Sequence, residues 1–164
     1  MNKVDIRPAS PNDIPALCKL YHSFHEFHAA VVPERLHSLG TWEEFDASQL
    51  SRSLQEVINN HNANLFVAED NGTLVGFVEV YLREDVPDPA RITYIYAHLQ
   101  SLMVANRWRK QGLGKRLICA AETWAVQNGA SELRLDTWEF PGDPLSFYEQ
   151  VGYRTLKRKL VRRL

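Results

Sequence analysis

The chain has 164 residues, 45% of them hydrophobic and 24% charged, and its net charge is -1. These values suit one globular domain and argue against a disordered or fibrous chain and against bulk affinity for nucleic acid. No apolar run approaches the roughly 18 residues a membrane helix needs, and "MNKVDIRPAS" holds no signal-peptide core, so one domain over residues 1–164, cytoplasmic and without a membrane partner, is expected.

The first strand is expected in "KVDIRPA", where Val4 and Ile6 alternate with charged neighbours before Pro8. Ser10, Pro11 and Asp13 then read as a helix start. Ile14, Leu17, Tyr21, Phe24 and Phe27 or His28 recur at helical spacing, which predicts a helix to about His28. Residues 31–45 contain Pro33, Gly40 and Trp42 without a clean period, and read as a loop able to cover a site. A second helix with a polar face is expected over residues 46–60.

"NLFVAEDNGTLVGFVEVYL" predicts two strands joined at Asn71-Gly72, a dipeptide suited to the positive φ angles of a tight hairpin. The loop "REDVPDPAR" follows, and then "ITYIYAHLQSLMV" predicts a long strand. That strand delivers the chain to "RWRKQGLGKRLI", where helical spacing begins: Leu113, Leu117, Ala121 and Trp124 share a face, and Gly129 is a C-terminal stop. "SELRLDTW" predicts a strand, "DPLSFYEQVG" a short helix capped by Asp143, and "YRTLKRKLVRRL" a final strand. The order is that of a mixed α/β fold. Cys18 and Cys119 both read as buried free thiols.

A glycine-rich turn that leads from a strand into a helix exposes backbone N–H groups with no partner in the helix, and the helix dipole favours an anion there. Arg107, Arg109, Lys110, Lys115 and Arg116 add positive charge. The turn is not a G-x-x-x-x-G-K-[ST] phosphate loop, and Gly112-Leu113-Gly114 lacks the third glycine of the dinucleotide fingerprint. By itself the turn reads either as a site for a phosphate-bearing ligand of another kind or as a helix start that is merely basic and glycine-containing.

"RKQGLG", residues 109–114, fits the [QR]-x-x-G-x-[GA] pattern of the GNAT superfamily of N-acetyltransferases, and "FYEQVGY", residues 147–153, resembles that family's F-Y-E-x-x-G-[FY] helix end. With the element order, the whole chain resembles a GNAT domain. The resemblance implies a mixed central β-sheet of about six to seven strands flanked by about four helices, with the fourth and fifth strands splayed apart. It also implies acetyl-CoA as acyl donor, with no metal, and a primary amine of a small molecule, peptide or protein as acceptor. Arg109, Lys110, Gln111, Gly112, Leu113, Gly114 and Lys115 would then grip the pyrophosphate, while Leu102, Met103 and Val104 would face the pantetheine arm.

The same resemblance makes Tyr148 the general acid for the departing thiolate. Where some relatives carry a carboxylate on the fourth strand, this chain has Gln100, which cannot serve as base. Glu79 and His98, each acting through water, remain candidates beside a reaction with no discrete base. Many relatives have Asn and Ala where this chain has Gly142 and Leu145, so the cofactor contact of that Asn is lost or taken over by backbone of Asp143. Phe24, His25, His28 and Gln100 are expected on the acceptor side. His22, His25 and His28 crowd one helix, but their spacing drifts around it and suits a pocket wall better than a metal site. The basic C-terminus lacks interleaved aromatics, so nucleic acid is not an expected partner. The acidic stretches "EDVPD" and "TWEEFD" read as solvated loops, with attraction of a cationic amine as their functional alternative. Assembly into a homodimer is left open, and a non-catalytic acyl-CoA sensor or scaffold of the same fold is the alternative.

Overall fold

The structure is a computed structural model that describes residues 4–164. The first predicted strand reaches back to Lys3, which lies outside the described residues. The elements run β1 (Asp5–Pro8), α1 (Ile14–Val31), α2 (Ser48–Asn59), β2 (Ala63–Asp70), β3 (Thr73–Glu84), β4 (Ile95–Val104), α3 (Leu113–Gln127), β5 (Glu132–Leu135) and α4 (Leu145–Gln150). The strands form one sheet in the order β1-β2-β3-β4-β5. Every pair is antiparallel except β4–β5, which is parallel and joined by α3 as a crossover.

Local chemistry explains where the elements start and turn. Asn71 (φ 48°) and Gly72 (φ 80°) make the β2–β3 hairpin in the left-handed region that a two-residue hairpin requires. Ahead of α1, a short 3-10 turn over Pro11–Asp13 is closed by the Asp13 carboxylate, which accepts from the Ser10 N–H (2.7 Å) and hydroxyl (3.0 Å). Arg7 of β1 donates to both oxygens of Asp13 (2.8 Å each) and to Glu69 of β2. Arg7 thus pins the first helix to the sheet edge.

That ion pair, with the Ser10 hydrogen bonds, holds the Asp13 carboxyl down at about 2. A group with a lowered folded-state pKa stabilises the fold above its unfolded value, and the contribution is lost as pH falls through the folded one. Asp13→Asn should therefore cost about 2 kcal/mol at pH 7. Chemical denaturation checks this, with the gap between the two proteins narrowing from about pH 4 toward pH 2.

Two hydrophobic layers cover the sheet. Val78, Val80, Ala97 and Leu99 pack against Leu113, Leu117, Ile118 and Ala121 of α3 and Tyr148 of α4. Phe77, Leu65 and Val67 pack on the other face against Ile14, Leu17 and Cys18 of α1 and Leu54 and Val57 of α2. Each large side chain buried there contributes roughly 1.5–3 kcal/mol. Gly76 sits opposite Val104, and a Cβ at that position would lie 2.7 Å from the Met103 carbonyl, so only glycine lets β3 approach this end of β4.

Three expectations are corrected. The sheet has five strands rather than six to seven, because residues 154–164 form no strand and leave Leu156, Leu160 and Val161 exposed. Cys119 is exposed, since Leu117, Ile118 and Ala121 take the inner face of α3; Cys18 is buried. The long helix predicted to end near His28 continues to Val31.

Candidate active site

Between β4 and β5 the sheet opens. Pairing runs from Tyr96–Glu132 to Leu99–Leu135 and stops there, while β4 continues to Val104. A bulge adds to the divergence: Glu79 pairs with Ser101 and Val80 with Leu99, so Gln100 has no partner on β3. Beyond Leu99 this stretch of β4 has a neighbour on one side only, and its outward main-chain groups line a cleft of about 1170 Å³.

One end of the cleft is the glycine-rich turn. Lys110 (φ 59°) and Gly112 (φ 77°) both take left-handed backbone angles, which turn the chain sharply into α3. Arg116 is the first α3 residue to donate back to the turn, to the Gly112 carbonyl at 3.1 Å. The amides of Leu113, Gly114 and Lys115 have no acceptor among the described residues, so three N–H groups and the helix dipole converge on the cleft. Lys110 and Lys115 border it as well.

The other residues of the turn do different work. Gln111 folds back to donate to the Arg107 carbonyl (2.8 Å) and does not line the cleft. Arg116 donates to the Val4 carbonyl (2.7 Å), and the Leu113 side chain is buried in the core. Arg109 donates to the Val104 carbonyl (2.9 Å) and places its guanidinium 5.6 Å over the Phe27 ring, so the Val104 carbonyl is already engaged. A Cβ on Gly114 would lie 3.1 Å from the Phe147 ring, so the second glycine serves the packing of α4 on α3.

Tyr148 borders the cleft, is 8% exposed, and packs its ring against those of Phe147 (5.3 Å) and Tyr153 (5.7 Å). Its hydroxyl has no hydrogen-bond partner among the described residues, and burial pushes it up to about 12. It therefore keeps its proton throughout the neutral range. Gly142 borders the cleft too, but the Asp143 N–H already donates to the Phe140 carbonyl (3.0 Å), and the Asp143 carboxylate caps the Leu145 N–H (2.9 Å). Backbone replacement of the missing Asn contact would have to use the Asp143 carbonyl.

Helix α1 walls the far side with Tyr21, Phe24, His25, Phe27 and His28, and Gln100 faces them from the bulge. The loop over residues 32–45 is strapped onto α1: the His22 and His25 rings contact the carbonyls of Gly40 (3.0 Å) and His37 (2.7 Å), and Glu26 accepts from the Leu39 N–H (2.6 Å) and the Ser38 hydroxyl (2.7 Å). The histidines thus hold the covering loop. Among the described residues, no group of three or more His, Cys, Asp or Glu is placed to hold a metal ion.

The two proposed bases lie in different settings. Glu79 is buried behind the wall, where it accepts from the hydroxyls of Tyr21 (2.6 Å) and Tyr81 (2.5 Å). Tyr21 itself borders the cleft, stacks on Phe77 (4.1 Å between centroids), and is raised by burial first and by Glu79 second. His98 does not border the cleft; burial and Arg83 push it below its ordinary value.

The acidic stretches do not point inward. Asp85 pairs with Arg134 (2.7 Å), Glu44 closes a turn onto Thr41, and Asp46 caps α2 through Ser48. The carboxylate that borders the cleft is Asp136, just past the end of β5, with Trp138 and Phe140 beside it. Sequence reasoning missed these residues. Their signal was position, since the C-terminal end of a parallel strand at a sheet opening is where open α/β sheets place ligand contacts.

Residues 19–153 match the acetyltransferase (GNAT) family. The chain belongs to the GNAT family. It is 31% identical over 150 residues to YhfO, an uncharacterized N-acetyltransferase of Bacillus subtilis (strain 168), covering 92% of this chain and 89% of that one. It is 29% identical over 118 residues to an aminoglycoside N(6')-acetyltransferase type 1 of Serratia marcescens, covering 71% and 80%. The fold is shared with a mutant form of the BH1408 protein of Bacillus halodurans (TM-score 0.86, 17% identity, 98% and 99% covered). It is shared too with AAC(6')-Iy, solved in complex with the bisubstrate analogue CoA-S-monomethyl-acetylneamine (TM-score 0.70, 19% identity, 99% and 98% covered). As a member of this GNAT family the protein is an acyltransferase enzyme, and no helix among its described residues is long and apolar enough to cross a membrane.

Proposed function

We propose that this GNAT protein is an acetyl-CoA-dependent N-acetyltransferase, a single cytoplasmic domain over residues 1–164, acting on a primary amine while both substrates are bound. The observation that carries the reading is continuity: one cleft joins the free amides of α3, the open edge of β4, Tyr148 and the aromatic wall of α1. Relatives named aminoglycoside N(6')-acetyltransferase support a small-molecule acceptor, with a peptide amine as the alternative.

The amides of Leu113, Gly114 and Lys115, with Lys110 and Lys115, hold the pyrophosphate. The outward main-chain groups of Leu102 align the pantetheine arm along β4, whereas those of Met103 are turned to Phe77 of β3, and Arg109 leaves Phe27 to meet a phosphate. Bound acetyl-CoA supplies the thioester that the amine attacks. The N–H of Val104, which faces away from β3, receives the charge that grows on the carbonyl oxygen. As the new C–N bond forms and the C–S bond breaks, the Tyr148 hydroxyl gives its proton to the departing sulfur. Asp136 and the α1 wall position the amine, so most of the acceleration comes from placement in a partly dry cleft.

The hydrogen bond from Tyr21 to Glu79 offers the amine proton a route to a buried carboxylate. The Tyr21 oxygen takes that proton as its own passes to Glu79 Oε2. Glu79→Gln and Tyr21→Phe should each lower kcat/KM for the amine by about 10-fold or more, and the double variant should lose little beyond either single one. Unchanged kcat/KM in Glu79→Gln would leave the reaction without a discrete base at this position.

Direct attack is tested by initial rates with both substrates varied. Intersecting reciprocal lines are expected. Parallel lines would indicate an acetylated enzyme and overturn the direct route.

A further inference from the structure

The acceptor half of the cleft carries more apolar surface than acyl transfer by itself requires. Phe27, Leu39 and Trp138 border it from α1, the covering loop and the segment after β5, and they are 42%, 42% and 43% exposed. Large apolar side chains left open to water around one cleft mark a surface that a ligand covers. Phe27 also meets Phe140 edge to face, 6.1 Å between ring centroids, which joins the α1 wall to the segment after β5. The apolar surface therefore runs across the cleft rather than along one side of it.

The covering loop is arranged to contribute to that surface. Glu26 accepts from the Leu39 N–H and the Ser38 hydroxyl, and the His22 and His25 rings contact the carbonyls of Gly40 and His37. Polar groups of the loop are thus taken up by α1, while the side chains of Leu36, Leu39 and Phe45 border the cleft. Phe45 is steadied there by the His22 ring, 5.1 Å away.

Charge limits what this surface can receive. Among the described residues Asp136 is the one carboxylate that borders the cleft. Glu79 lies behind the wall between two tyrosine hydroxyls, Glu26 is bound to the loop, and Asp85 is paired with Arg134. The other charged side chains at the cleft are Arg109, Lys110 and Lys115, and the imidazoles of α1 add no negative charge. A polyamine or an aminoglycoside brings several ammonium groups, and each one drawn against aromatic faces without a carboxylate loses hydration that is not replaced. Cation–π contact returns only part of that loss. A single ammonium, by contrast, is matched by Asp136.

Resting on the N-acetyltransferase reading, we propose that the acceptor is a small primary monoamine with an apolar body, and not a polycation such as an aminoglycoside. Its one ammonium is drawn in past Asp136, and its hydrocarbon or aromatic part lies against the surface that Phe27, Leu39 and Trp138 expose. After loss of a proton the amine nitrogen forms the C–N bond to the acetyl carbon as the C–S bond breaks. The proton lost by nitrogen is balanced by the one the sulfur gains, so the products are a neutral N-acetyl amide and free CoA.

The test is the initial rate of CoA release at saturating acetyl-CoA and fixed pH, with propylamine, butylamine, hexylamine, 1,6-diaminohexane and kanamycin as acceptors. From propylamine to hexylamine kcat/KM should rise about threefold per added methylene. It should fall by about 100-fold from hexylamine to 1,6-diaminohexane, which adds a second ammonium to the same six carbons. Trp138→Glu replaces an exposed side chain and gives the apolar side a second carboxylate, so it should raise the ratio of diamine to monoamine kcat/KM by about 10-fold or more. A flat series, or a diamine or kanamycin used as well as hexylamine, would overturn the proposal while leaving N-acetyl transfer in place. An unchanged ratio in Trp138→Glu would contradict the placement of the apolar body. Failure of every amine to accelerate CoA release would instead remove the N-acetyltransferase reading, and the proposal with it.

Discussion

Tyr148→Phe should lower kcat by about 100-fold while changing acetyl-CoA affinity less than about twofold. The structure makes this a clean substitution. The hydroxyl has no hydrogen-bond partner among the described residues, and its ring is packed against Phe147 and Tyr153, contacts that phenylalanine preserves. Stability should therefore hold, and the loss falls on the step that needs a proton. With the hydroxyl pushed up to about 12 by burial, wild-type kcat should show no fall from Tyr148 ionisation below about pH 11. Stopped assays of both proteins across pH separate the two effects: an unchanged kcat would remove Tyr148 from the chemistry, and an equal loss of affinity and turnover would make it a binding residue.

The second large effect is expected at the turn. Gly112 takes φ 77°, where a β-branched side chain is strained by about 1–2 kcal/mol or more. Nothing in the protein lies within 4 Å of a Cβ built there, so Gly112→Val meets no internal clash. It would instead distort the turn that aims the α3 amides and place a branched side chain where the phosphates must sit. Acetyl-CoA affinity should fall by about 30-fold by calorimetry. Gly72→Val is the control, since Gly72 has φ 80° in a hairpin and does not border the cleft. It should cost stability and leave affinity unchanged; equal losses of affinity in both variants would mean that strain alone, and not the phosphate turn, is being measured.

Much of this molecule is legible in its sequence because the strongest signals are local. Asn71-Gly72 dictates a hairpin by its backbone angles, Ser10-Pro11 and Asp13 dictate a helix start, and the glycines around Leu113 mark a strand-to-helix turn. The turn also shows where locality ends: its two glycines look alike in the sequence, yet Gly112 supplies a left-handed backbone while Gly114 makes room for Phe147, a residue of a distant helix.

Acceptor-side features were harder to read for the same reason. Tyr21, Asp136 and Trp138 come to line one cleft only after the crossover brings β5 beside β4, and no spacing in the sequence records it. His22 and His25 suggested a ligand set and instead hold down a loop, because their partners are carbonyls, which a sequence cannot display. The final strand failed for a related cause. Its pattern is that of a strand, but pairing requires an edge, and the chain's own β5 does not receive it.

The most direct test of the functional account is release of free CoA from acetyl-CoA, followed with a thiol reagent across a panel of primary amines that includes aminoglycosides, polyamines and short peptides. The account predicts that at least one amine accelerates release in a saturable way, with one acetylated amine formed per CoA released. If no amine accelerates release while acetyl-CoA still raises the melting temperature, the protein binds the donor without turning it over, and the catalytic account is wrong.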